Sequence, residues 1–182
     1  MSFREPRKRI PYKSARLSPI EDEMAYTKNK CSERARKINS INPNLVFDVW
    51  FDQHLQIRQQ FGDNNGLREG IDSKKVESLV LKSMKHLIAY SSLLKVFTFI
   101  NHELKGDRAN RIVLQEPTDE GRLNIVIEAH LINLDTYEIT VKTAMRNDSF
   151  KISDGQFALE IFENESVLKR MERGKIIEIY RL

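Results

Sequence analysis

The chain carries a single cysteine, Cys31, among 182 residues. No internal disulfide can therefore form, and no cysteine-rich zinc module can be built, which makes a reducing cytoplasm the simple expectation. No uninterrupted apolar run approaches the roughly 20 residues that span a bilayer, so no membrane partner is expected. The opening residues Met1–Arg9 are basic but lead into no apolar stretch, unlike a secretory signal. Also missing are H-E-x-x-H, a phosphate-binding glycine loop, G-x-G-x-x-G and a nucleophile elbow. Those absences remove several large enzyme classes. None of the four histidines has a ligand-like neighbour at zinc spacing, so neither a metal nor any other cofactor is expected.

What is present is unevenly charged. Thirty Lys and Arg oppose 26 Asp and Glu, for a net charge of +4. Residues 1–40 hold eleven of those cations against five carboxylates, a net +6, which leaves the remainder at −2. A basic arm of this kind can bind a polyanion by displacing counterions from its phosphates, and Arg7, Lys8 and Arg9 are its densest cluster. With Pro6, Pro11 and few large apolar groups, residues 1–17 read as a flexible arm. Ser18-Pro19-Ile20-Glu21 then reads as a capped helix start, and residues 18–41 as a polar surface helix suited to a protein partner.

A single α+β domain is expected over residues 42–182. Val46, Val49, Trp50, Ile57 and Phe61 share one stripe at helical spacing, predicting a helix from Leu45 to Phe61. Gly62–Gly66 breaks it, and Asp72 caps a second helix whose stripe is Val76, Leu79, Val80, Met84, Leu87 and Ile88. Beyond Lys95 the texture becomes β-branched and aromatic. Strands are expected at 96–100, 111–114, 123–132, 136–146, 157–162 and 175–180, with a helical turn at 166–173. The expected architecture is N-terminal helices packed on one face of a mainly antiparallel sheet of four to five strands.

Period-two alternation sorts the 123–146 hairpin into faces. Leu123, Ile125, Ile127, Ala129 and Leu131, with Tyr137, Ile139, Val141, Thr143 and Met145, form a core face. Asn124, Val126, Glu128 and His130, with Glu138, Thr140, Lys142 and Arg146, form a polar one. That polar face offers a general base (Glu128 or His130) beside cations able to steady a phosphate (Lys142 and Arg146). Cleavage of RNA by its own 2′-hydroxyl needs this combination of base, acid and cation. An ordinary solvated sheet face with cross-strand ion pairs would look the same. On the first helix, His54 and Arg58 lie one turn apart and are a second acid–base and phosphate-binding candidate.

Gln53–Arg58, followed by Gly70-Ile71-Asp72 and a helix opening on Lys74-Lys75-Val76, resembles the opening of RelE/barnase-like ribonucleases. Asn124–Glu128 and Tyr137–Ala144 are similar to the paired strands of that group. The resemblance spans about residues 45–146 and implies a metal-independent, toxin-like RNA endonuclease. It makes His54 and Arg58 candidates for a catalytic helix and carries the sheet residues over only by face. Joined to the polar-face reading, this gives His54, His130 and Glu128 as catalytic candidates, with Arg58, Lys142 and Arg146 holding phosphate. The lengthened Gly62–Gly66 turn, the added N-terminal forty residues and the acidic remainder depart from the pattern. Two rivals stand beside it: a non-enzymatic protein-binding module (regulator, immunity or assembly protein), and a nucleic-acid binder that uses its basic tail.

Overall fold

The computed structural model describes residues 26–41, 46–53, 55–57, 71–101, 109–133 and 136–182. Among these residues, nine strands build a single mixed sheet: β1 (Ala35–Ile41), β2 (Val46–Asp52), β3 (Ile100–Asn101), β4 (Arg111–Glu116), β5 (Leu123–Asn133), β6 (Thr136–Arg146), β7 (Phe157–Ile161), β8 (Ser166–Glu172) and β9 (Lys175–Arg181). Their order is β1-β2-β6-β5-β4-β7-β8-β9, and β3 pairs with β5. The pairs β2/β6, β3/β5 and β4/β7 are parallel, and the others are antiparallel.

This corrects the expected architecture of N-terminal helices on a mainly antiparallel sheet of four to five strands. Val46–Asp52, expected to be helical, is a strand in which Phe47, Val49 and Phe51 are buried in alternation. Its heptapeptide V-F-D-V-W-F-D is apolar at nearly every position, so helical and strand periods both match it. The parallel register with β6, from Val46↔Thr136 to Phe51↔Val141, decides in favour of the strand. Helical backbone begins only at Gln53 and continues through residues 55–57. Ala35–Ile41, the end of the expected surface helix, is likewise a strand and extends the sheet to the N-terminal side of residue 42. Ser166–Glu172, read as a helical turn, is strand β8, paired on both sides.

The helix after Asp72 forms as its signals indicate. In α1 (Ser73–Leu93) the Asp72 side chain accepts from the Lys74 amide at 2.9 Å, satisfying a donor the helix start leaves without a partner. Val76, Leu79, Val80, Met84 and Leu87 are buried on its inner stripe. They pack on Ile112, Leu114, Ile125, Ile127, Leu159 and Ile161 in the main core on the front of the sheet. Tyr90 ties the helix to β8, its hydroxyl donating to the Ser166 carbonyl at 2.7 Å. Among the described residues no helix is long and apolar enough to cross a membrane.

Candidate functional site at the back of the sheet

The back of the sheet carries the row read from sequence as polar, but most of that row is buried. Asn124, Glu128, Glu138 and Thr140 are each less than a tenth exposed. Two segments cover them. Residues 26–34 lie over β5 and β6: the Lys30 amide donates to Glu138 Oε1 at 2.8 Å, and Asn29 Nδ2 donates to Thr140 Oγ1 at 2.7 Å. On the other side, residues 147–156 fold over β4, β5 and β7. Phe150 and Ile152 pack there on Val113, Val126 and Ala158. Gln156 Nε2 pins that segment to the Arg111 carbonyl at 3.1 Å.

Between these covers lies a cleft of about 430 Å³ lined by Asp52, Arg111, Val126, Lys142, Thr143, Phe150, Lys151, Ser153 and Gln156. Its charged floor is fixed by two ion pairs. Arg111 Nε meets Glu128 Oε1 at 2.6 Å, and Lys142 Nζ meets Asp52 Oδ2 at 2.8 Å. Arg111 and Glu128 stand opposite each other across β4 and β5, which explains the first pair. The second follows from a bulge. Val126 pairs with Thr143 and Ile127 with Val141, so Lys142 is an extra residue with no cross-strand partner. Lys142 and Thr143 both reach the cleft, and Ala144 takes the core position.

The bulge also separates two cations that strict alternation places together. Beyond it, Arg146 pairs with core-facing Leu123 and therefore stands on the helix side of the sheet. There Arg146 Nη2 meets Glu120 Oε2 at 2.6 Å, away from Lys142. Glu128 and His130 are brought together with Cys31, which the first cover carries over them. One ligand-capable atom from each lies within 4.8 Å of the others. His54, Arg58, Arg7, Lys8 and Arg9 lie outside the described residues.

Electrostatics at this face are dominated by desolvation. The Cys31 thiol is pushed up to about 12, first by burial and then by the nearby Glu128 and Glu138 carboxylates, against a hydrogen bond from Thr140. Burial also raises the Glu138 carboxyl above its ordinary range, assisted by Asp48 and opposed by the Lys30 amide. A neutral thiol is a poor nucleophile, so Cys31 is not poised for covalent chemistry in this state.

Sequence reasoning missed Cys31, Asp52, Arg111 and Lys151. Arg111 was readable in principle, because antiparallel register sets it opposite Glu128. The others arrive through the bulge and the two covering segments, which no periodicity encodes. No protein-family model, curated protein or solved structure matches this chain.

Proposed function

We propose that the protein binds a phosphate-bearing ligand, RNA foremost, in the cleft behind the sheet. The observation that carries this reading is the convergence of Arg111, Lys142 and Lys151 in one cleft, where Glu128 and Asp52 pair with the first two and Lys151 supplies the excess positive charge. Thr143, Ser153 and Gln156 add hydrogen-bonding groups, and Val126 and Phe150 add an apolar wall. Phosphates are held by such cation and donor sets, and an aromatic wall suits an unstacked base. Lys151 is exposed and makes no ion pair among the described residues, so its full charge faces an incoming anion. Binding at the cleft suits a reducing cytoplasm, where one lone thiol stays reduced.

Metal-independent, toxin-like RNA cleavage is the enzymatic form of the same reading, with His130 or Glu128 as general base and His54 assisting. Binding without cleavage has the better support. Glu128 is 3% exposed and clamped by Arg111, which leaves it poor access to a 2′-hydroxyl. The experiment is fluorescence anisotropy of a labelled single-stranded RNA with the full chain, beside Lys151→Ala and a chain lacking residues 1–17. A cleft-bound RNA predicts weaker binding for Lys151→Ala and a salt slope lower by about one. Binding lost only with the tail assigns it to Arg7, Lys8 and Arg9 instead. RNA fragments that disappear in His130→Ala would restore the enzymatic form.

A second reading is a protein-binding module, favoured by the edge of the sheet at β9, which pairs on one side only among the described residues. Ile176, Ile177 and Tyr180 are exposed there, a surface open to strand addition by a partner. Ile177→Lys would abolish partner capture under this reading while leaving RNA binding unchanged.

A further inference from the structure

Positions 31, 128 and 130 show no ligand spacing in sequence, yet the fold gathers them. Glu128 and His130 are alternate residues of β5 and project from the same face. Cys31 is brought over them by a tight turn: Asn29 Oδ1 accepts from the amides of Cys31 at 3.1 Å and Ser32 at 2.8 Å. The sulfur, an imidazole nitrogen and a carboxylate oxygen then lie within 4.8 Å of one another. We propose that Cys31, Glu128 and His130 are the protein ligands of a transition-metal dication, zinc by the chemistry of the donors.

The donor set is specific. A thiolate excludes magnesium and calcium, which take oxygen ligands, and sulfur with nitrogen and oxygen suits borderline-soft zinc. Zinc bonds to these atoms run at roughly 2.0–2.3 Å, so donors of a tetrahedral site stand about 3.3–3.8 Å apart. The observed separations, up to 4.8 Å, are wider than this, so binding would draw the three donors together. Three protein ligands also leave a fourth position open.

The surroundings orient each ligand. Arg111 occupies Glu128 Oε1, which leaves the second carboxylate oxygen for a metal. Thr140 Oγ1 accepts from Asn29 Nδ2, so its own hydroxyl proton is directed elsewhere, and its hydrogen bond is to the Cys31 thiol. A hydroxyl donating to sulfur is the kind of outer contact that steadies a bound thiolate. Lys142 Nζ donates to the Cys31 carbonyl at 3.3 Å, fixing the turn from below. A dication also offsets the charge of a thiolate and carboxylate gathered in a desolvated place. The inference is independent of RNA binding.

The test uses the full chain, stripped with chelator and titrated with Zn²⁺ and, separately, with Co²⁺. Because Cys31 is the only cysteine in the chain, a sulfur-to-cobalt charge-transfer band reports this residue alone. Stoichiometric Zn²⁺ uptake, a charge-transfer band and tetrahedral cobalt colour are expected. Cys31→Ser should abolish the band, His130→Gln should weaken Zn²⁺ binding, and Thr140→Val should weaken it by roughly 10–100-fold. A cobalt spectrum without the sulfur band overturns the proposal on the wild-type chain, whatever the folding of the variants. Zn²⁺ affinity unchanged in both Cys31→Ser and His130→Gln overturns it equally.

Discussion

Lys142 shows how much one residue can reorganise. As the extra residue of a bulge, it turns its ammonium toward Asp52 and shifts the side-chain parity of all that follows in β6. Asp52 is 7% exposed in its side chain and Lys142 20%, so this is a largely desolvated pair. Removing Lys142 takes a close counter-charge from a buried carboxylate. Lys142→Met is expected to cost about 3 kcal/mol in urea unfolding, and Asp52→Asn/Lys142→Met to recover part of it. His86 gives a second prediction at this scale. Burial, followed by the nearby Lys85 and Lys82 charges, lowers its pKa below the ordinary value of 6.5, and its Nδ1 lies 2.9 Å from Ser166 Oγ. The unfolded chain therefore takes up a proton there more readily than the folded one. The contribution is present in full above about pH 6.5 and is lost as pH falls through the lowered folded value. Thermal stability should fall on acidification through that window, and less steeply in His86→Gln. Glu128, His130 and Lys142 were legible as candidates because they alternate along strands. Cys31 and Asp52 were not, since their roles depend on a covering turn and a bulge.

At the level of elements, legibility followed the uniqueness of the hydrophobic period. α1 was readable to its cap because Asp72 and the three-four spacing of Val76 to Leu87 admit one conformation. Strands β4, β5, β6, β7 and β9 were readable from their β-branched texture. β2 was not, for its apolar residues satisfy both periods, and the neighbour that decides between them lies some ninety residues away in β6. Within β2, Phe51 is fully buried, so Phe51→Ala should destabilise by about 3–5 kcal/mol by chemical denaturation. β8 misled for another reason: Leu168, Lys169, Arg170, Met171 and Glu172 are good helix formers, overruled by strands on both sides. The turn that returns β8 into β9 has positive φ at Arg173 (50°) and Gly174 (77°). Two successive positive φ values make the hairpin turn that favours Asn-Gly, and Arg173 carries the left-handed penalty. Arg173→Asn should stabilise the protein by about 1 kcal/mol, read as a rise in melting temperature.

The whole molecule is a sheet with two unlike sides. Among the described residues the front is apolar and covered by α1, and the back is mainly polar, partly covered by residues 26–34 and 147–156 with the cleft beside them. A buried polar face is costly unless its groups are paired, and here they are paired in quantity. Gln115 Nε2 donates to Asn124 Oδ1 at 2.7 Å, and Glu160 receives both Arg122 and Lys169. This arrangement gives the back face fixed cations rather than mobile ones, which is what ligand recognition needs. Amide chemical shifts followed during titration with a short single-stranded RNA test that account most directly. It predicts saturable shifts at residues 111, 126, 142–143 and 150–156 around the cleft, in the full chain and in the chain lacking residues 1–17. Shifts confined to β9, or none in the chain without its basic arm, would contradict it.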